Sequence, residues 1–413
     1  MLPPQIILCA SALFLLLAVL INPCVLVFVS SDGQLHSGIV KSVCWTFSGI
    51  FLANSLCLLY FSRRPLATNL LLAFVSFIVG GSLFGEILFR VMILSGSKKL
   101  LNPAMYFDPD FEDEFWIYEA EWSKKSGVQN ATRVHSLLGW SQRYVSDGNP
   151  FGLLEATQFR LMRDGKPKVL IYGDSFIAPD LENDQSIPFF VRTSLEGIDV
   201  LNLGVGGYGL DQIFLMFRET HRLVDSPSVT IGVLLDDVNR SILSIRSAQK
   251  PRFSVDSSGR LFLRNVPIQQ DSRKFLQEAK PWCFSYLYRY VLTRFRFALA
   301  YHGKKSEIVS ITRALLAEFA KECSKTCRDL QFLLFYRPGQ FLSPVPDWRE
   351  TLLKEELSRL RIPYLDSKVP LSEYLRESKQ LATVLYRDGD DHHSALANRV
   401  IGEFVASRMK GAS

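Results

Sequence analysis

No block of lysine and arginine stands out anywhere in this chain. Its formal net charge of +6 is spread along 413 residues without a recognisable nucleic-acid motif, so the basic side chains read as solvated surface and nucleic acid is not an expected partner. Cysteine is sparse, with seven in all. Cys9, Cys24, Cys44 and Cys57 lie in long apolar runs, where they behave as small apolar residues. Cys323 and Cys327 share a helix face within Glu322-Cys-Ser-Lys-Thr-Cys-Arg328, but no His or further Cys pair at metal-site spacing goes with them, so a zinc site is not expected. The start of the chain shows neither the basic n-region nor the small-residue cleavage site of a cleaved signal peptide. Internal repeats and low-complexity tracts are absent as well, which removes repeat architectures from consideration.

What the chain has in excess is apolar sequence at its front. Hydrophobic residues make up 48% of the whole, and three runs, Ile6 to Val29, Val43 to Phe61 and Asn69 to Leu94, are each near or beyond the ~20 residues that cross a bilayer. The expectation is a membrane anchor of three spanning helices over residues 1–100. Arg63 and Arg64 in the second connection favour a cytoplasmic position for that loop and put everything after the third helix outside. Lys41, Lys98 and Lys99 fall on the outer side in this arrangement and nearly cancel the arginine pair. Glu86 and Arg90, four residues apart, are expected to pair or to let Arg90 snorkel. Residues 101–166 form a lead-in, acidic from Asp108 to Glu121 and rich in aromatics such as Tyr106, Phe107, Phe115, Trp116 and Trp122, that is expected to pack on the domain that follows.

Residues 167–413 alternate short apolar runs with helical patterns. Strands are expected at Lys168 to Gly173, Asp199 to Leu203, Val229 to Leu235, Gln331 to Tyr336 and Ile362 to Leu365, with helices between them, which indicates an α/β domain with a doubly wound parallel sheet. An insertion over about 240–305 carries a hairpin, Arg252 to Val255 and Leu261 to Arg264, around the turn Asp256-Ser-Ser-Gly259. The first strand ends abruptly in Gly173, Asp174 and Ser175. A strand that stops in this way delivers a side chain to the sheet edge, and a helix expected directly afterwards would offer free N–H groups to an anion beside the Ser175 hydroxyl.

Four stretches then line up: Gly173-Asp-Ser-Phe176, Asn202-Leu-Gly-Val-Gly-Gly-Tyr-Gly209, Gly232-Val-Leu-Leu-Asp-Asp-Val-Asn239 and Asp388-Gly-Asp-Asp-His-His-Ser-Ala395. In this order and spacing, from Lys168 to the C-terminus, the chain resembles the SGNH (GDSL-type) hydrolase superfamily, with Phe176 where the name-giving pattern has Leu. The resemblance implies a flavodoxin-like sheet, Ser175 as nucleophile, backbone N–H groups of Ser175 and Gly207 as oxyanion donors, and Asp390 as the carboxylate behind the base. The base itself stays open. The Asp-x-x-His spacing of the family selects His393, whereas the Asp-x-His spacing of the related alginate-type acetyltransferases selects His392. The third block departs from the pattern, because Asp236 stands where the family has an oxyanion-donating Asn, and a carboxylate donates only when protonated. Asn239, just beyond, is the nearest substitute.

The chemistry explains the residue types. A serine hydroxyl needs an imidazole to take its proton, and a carboxylate fixes the tautomer of that imidazole. The implied function is a membrane-anchored esterase that hydrolyses acyl esters, O-acetyl first among them, on carbohydrate or, second, on lipid, with no cofactor. The alternatives are an O-acyltransferase supplied by an acyl-donor membrane partner and a catalytically silent scaffold in envelope polysaccharide assembly. The expected location is a cell (inner) membrane, multi-pass, with the catalytic domain extracytoplasmic.

Overall fold

The computed structural model of the protein describes residues 4–22, 24–25, 38–61, 74–75, 78–83, 85–87, 133–141, 164–178, 183–246, 248–269, 274 and 285–410. Two compact units emerge, Met1–Asp108 with Lys280–Lys304, and Pro109–Ala279 with Lys305–Ser413.

In the first unit, α1 (Pro4–Ile21) and α2 (Gly38–Phe61) are helical, as are the described parts of the third apolar run. Phe14, Ala18, Phe51, Leu58 and Phe74 bury against one another, with Phe14 and Phe74 edge to face at 4.1 Å between ring centroids. Ser48 donates to the Ala18 carbonyl at 2.8 Å, and the Ser11 and Ser55 hydroxyls meet at 3.0 Å. Large apolar side chains, among them Leu13, Leu16, Leu56 and Leu83, face outward. Among the described residues no helix is long and apolar enough to cross a membrane. Glu86 accepts from the Ser285 hydroxyl at 2.7 Å and from the Leu287 N–H at 2.9 Å. Its expected partner Arg90 lies outside the described residues, as do Arg63, Arg64 and the lead-in aromatics from Tyr106 to Trp122.

The second unit contains, in chain order, β1 (Arg133–His135), β2 (Gly139–Ser141), β3 (Lys168–Gly173), α3 (Ile187–Ser194), β4 (Asp199–Gly204), α4 (Leu210–Thr220), β5 (Ser228–Leu234), α5 (Leu235–Arg240), β6 (Ile245–Arg246), β7 (Ala248–Gln249), β8 (Arg252–Val255) and β9 (Leu261–Arg264). The residues of α6 (Tyr286–Thr326) from Lys305 onward follow, then β10 (Asp329–Phe335), α7 (Pro338–Leu342), α8 (Trp348–Arg359), β11 (Tyr364–Asp366), α9 (Lys368–Ser378) and α10 (Ala395–Lys410). Five strands form one parallel sheet in the order β11-β10-β5-β3-β4. The order reverses between β3 and β5, and the crevice beyond the C-terminal ends of those strands is where open α/β sheets bind ligands.

Both faces of β3 are covered, which is why it reads as an unbroken apolar run. Val169 and Ile171 pack with Ile187 and Val191 of α3 and with Ile401 and Val405 of α10. One residue on, Tyr172 points the other way, 5.7 Å from Phe217 of α4, which in turn meets Phe319 of α6 at 5.1 Å. The stripe expected on α6, Ile308, Ile311, Leu315, Leu316 and Phe319, is buried throughout. The hairpin β8–β9 pairs as expected, with Arg252 opposite Arg264.

Three features differ from the sequence-based picture. Ser175 is followed by a tight turn, in which Ala178 N–H donates to the Asp174 carbonyl at 2.8 Å, and α3 starts only at Ile187, so no helix N-terminus begins at the serine. Asp174 causes this by accepting the Phe176 N–H on its own side chain at 2.9 Å, which closes a local turn in competition with a helix. The hairpin β1–β2 and helices α7 and α9 had no strong periodic signal. Cys323 and Cys327, near the end of α6, are joined in a disulfide.

Lys250 is fully buried after β7. Its ammonium donates to Asp211 of α4 at 2.6 Å and to the carbonyls of Arg240, Leu243 and Pro251 at 3.0 to 3.1 Å. Lys250→Met therefore strands the Asp211 carboxylate in the core and is expected to cost about 3–5 kcal/mol in chemical denaturation. The double variant Lys250→Met/Asp211→Leu should recover part of that loss, and a double variant no more stable than the single one would contradict the pairing.

Candidate active site

Ser175 sits half-buried where β3 ends. Asp174 beneath it is fully buried and shapes the turn, taking the Phe176 N–H on one oxygen and the guanidinium of Arg240 on the other at 3.0 Å. Gly173 is enforced by contact, since a Cβ there would stand 2.5 Å from Ile177 Cγ1.

The C-terminal block supplies the partners. Residues 385–394 fold back on themselves: Arg387 N–H donates to the His392 carbonyl at 2.9 Å, Ser394 N–H to the Leu385 carbonyl at 2.9 Å, and Tyr386 bridges to His393. At the tip, Asp390 N–H donates to the Arg387 carbonyl at 3.2 Å, and Gly389 takes φ +70°, a turn position that favours glycine. This loop places His392 between Ser175 and Asp390. The His392 Nε2 lies 2.7 Å from Ser175 Oγ, and Nδ1 lies 2.5 Å from Asp390 Oδ1. Burial works to raise the Asp390 carboxyl, but the hydrogen bond and charge of His392, with Arg387 at 2.9 Å, outweigh it and hold the group below the usual carboxylate range. Phe176 packs beside the imidazole at 5.1 Å between centroids.

No protein-family model and no curated protein matches this chain. Among solved structures, it is similar to a member of the lipolytic G-D-S-L family from Veillonella parvula DSM 2008, at 12% identity over 59% of this chain and 97% of that one, with a TM-score of 0.33. A putative lipolytic protein of the G-D-S-L family from Desulfitobacterium hafniense DCB-2 is similar at 13% identity over 58% and 98%, with a TM-score of 0.32. An acetylxylan esterase from Geobacillus stearothermophilus is similar at 15% identity over 59% and 93%, with a TM-score of 0.34.

His393 points the other way. It is buried among Phe176, Phe335 and Tyr386, and neither ring nitrogen has a hydrogen-bond partner among the described residues. Asp236 lies at the start of α5 and is turned into an ion cluster, with its carboxylate accepting from Arg337, from Arg349 Nη1 at 2.7 Å and from Gln340 Nε2 at 3.2 Å. Burial opposes ionisation there, but Arg349 and Arg337 outweigh it and keep the pKa low. Asn239, inside α5, is buried, and its Oδ1 has no hydrogen-bond partner among the described residues. Gly207 takes φ +80° in the loop after β4, and a Cβ on its neighbour Gly206 would lie 3.9 Å from Ser175 Cβ.

Two residues of this neighbourhood were not singled out from the sequence. Arg240 reaches Asp174, Asp237 and the Tyr208 carbonyl, and Trp140 of β2 donates to the Gly206 carbonyl at 3.0 Å. The only available signal for Arg240 was its place directly behind the third block. Trp140 offered none.

Burial pushes the His393 imidazole down to about 3, and the nearby His392 adds to the effect. The unfolded chain binds this proton below about pH 6.5 and the folded chain only near pH 3, so stability is lost as pH falls through that window, by up to about 1.4 kcal/mol per pH unit. Denaturant unfolding at pH 7 and pH 5 should therefore show a steeper loss for wild type than for His393→Phe. Equal losses would mean that His393 is not held neutral in the fold.

Proposed function

We propose that the C-terminal domain cleaves or transfers acyl esters through an acyl-serine intermediate. The observation that carries this is the unbroken line from Ser175 Oγ through His392 to Asp390, at 2.7 and 2.5 Å. Ser175 attacks the ester carbonyl as His392 Nε2 takes its proton, and Asp390 stabilises the imidazolium. Backbone N–H groups of Ser175 and Gly207 stabilise the oxyanion. Collapse expels the alcohol, which receives the proton from His392. Water, activated by the same imidazole, then attacks the acyl-serine and releases the acid. The charge of Asp236 is matched by Arg337 and Arg349, which weakens the reading of the domain as a silent scaffold.

The substrate we assign is an O-acetyl ester on an envelope or exported carbohydrate, with a lipid ester second. A narrow pocket beside the serine, lined by Phe176, Ala178, Ser186, Arg387 and Asn398, suits a short acyl group. We further propose that the first unit anchors the protein in a cell membrane with the catalytic domain outside the cytoplasm. Outward apolar side chains around contacts between small polar ones, such as Ser11 with Ser55, support the anchor. The Cys323–Cys327 disulfide supports an oxidising location. One observation favours a second reading, an O-acyltransferase: the histidine facing Ser175 has the Asp-x-His spacing of the acetyltransferase-type relatives. In that case an acceptor hydroxyl replaces water, and a membrane partner supplies the acyl donor.

Turnover of a chromogenic acetyl ester tests the proposal. His392→Ala and Asp390→Ala should each lower kcat by about 10³-fold or more, as loss of a triad member does, while His393→Phe stays close to wild type. Undiminished kcat in His392→Ala would overturn the assignment.

A further inference from the structure

We propose that Trp140, from the hairpin ahead of the catalytic domain, is a positioning residue that sets the direction of the Gly207 N–H in the oxyanion hole. The inference rests on the acyl-serine reading above. Val205 to Tyr208 forms a β-turn closed by the Tyr208 N–H on the Val205 carbonyl at 3.3 Å. Positive φ at Gly207, at +80°, and not at Gly206 makes it a type II turn. Its middle peptide carries the Gly206 carbonyl and the Gly207 N–H. Rotating that one unit by about half a turn converts type II into type I, and with glycine at both central positions no side chain resists the rotation.

The peptide is planar and trans, so its C=O and N–H point in opposite directions, and fixing one fixes the other. Trp140 fixes the carbonyl: its indole N–H donates to Gly206 O at 3.0 Å. The donor is itself held firmly. Trp140 is 2% exposed, its ring meets Tyr208 edge to face at 5.4 Å, and its own carbonyl accepts the Tyr208 hydroxyl at 2.6 Å. Earlier in the same hairpin, the Leu138 carbonyl accepts from Gln212 Nε2 at 2.8 Å and the Ser136 carbonyl from the Ile268 N–H at 2.7 Å. A Cβ on Gly139 would stand 2.4 Å from the Gln249 carbonyl, so the hairpin sits tight against β7. Gly206 lies beside Ser175. With its carbonyl held by the indole, the turn presents the Gly207 N–H to the opposite side, where the oxyanion forms. A flipped peptide would instead present a carbonyl oxygen to the developing negative charge.

The test compares wild type, Trp140→Phe and a variant with benzothienylalanine at position 140, which keeps the bicyclic shape and lacks the N–H. Leu138→Ala serves as a packing control. Each is assayed on an acetyl ester and on its thionoester, whose sulfur anion accepts hydrogen bonds poorly. Both position-140 variants should lose about tenfold or more in kcat with KM nearly unchanged, and their preference for the oxygen ester should shrink, because the lost interaction belongs to the transition state. Leu138→Ala should lower the melting temperature and leave that preference intact. If Trp140→Phe does not fold, the benzothienylalanine variant decides. Unchanged kcat and unchanged preference at position 140, with an active wild type, overturn this inference alone. A wild type inert on both esters overturns the acyl-serine reading and this inference with it.

Discussion

The guanidinium of Arg240 lies at the C-terminal edge of the sheet, where the loops after β3 and β4 meet the start of α5, and a single nitrogen, Nη1, reaches all three segments. It donates to Asp174 at 3.0 Å, to Asp237 at 2.5 Å and to the Tyr208 carbonyl at 3.1 Å. Asp174 precedes the candidate nucleophile, Tyr208 closes the glycine turn, and Asp237 follows β5. The parallel ladders bring β3, β4 and β5 to the same level, but a ladder fixes strands and leaves their loops free. The buried cation fixes the loops. Burial and the charge of Asp174 push the Asp237 carboxyl well above its usual range, which keeps one arginine and two acids tolerable in the core.

Against this fixed edge the C-terminal loop presents one histidine and hides the next. His393 is bridged to Tyr386, so the segment is extended there and neighbouring side chains point to opposite sides. Asp390 and His392, two residues apart, come together beside Ser175, while His393 turns into the core against Phe335. Phe176 packs against both imidazoles, with ring centroids 5.1 Å from His392 and 4.8 Å from His393. It lies beside both the imidazole that the proposed mechanism would charge and the one that burial holds neutral.

Much of this arrangement is legible in the sequence. The five strands and the β8–β9 hairpin are unbroken or alternating apolar runs bounded by turn residues, the pattern that burial imposes on a sheet. The order of the blocks brought Ser175, the glycine loop and the Asp-His loop to one edge. What spacing could not convey was side-chain direction. The choice between His392 and His393 depended on the extended conformation of one loop, and the fate of Asp236 depended on arginines 101 and 113 residues away. A tight turn replaces the expected helix start after Ser175, because the Asp174 side chain accepts the Phe176 N–H and closes a local turn. Trp140 and its hairpin escaped notice because their role is set by contacts across 66 residues of sequence, with no local periodicity to mark them.

The proposed mechanism requires that Ser175 be chemically activated by the His392–Asp390 pair. Peptide mapping by mass spectrometry after treatment of the purified full-length protein with a fluorophosphonate probe tests it without knowledge of the substrate. One covalent adduct is expected, on the peptide that carries Ser175, and it should disappear in Ser175→Ala. Labelling that is absent from that peptide in the wild type, or equal in the variant, would contradict it.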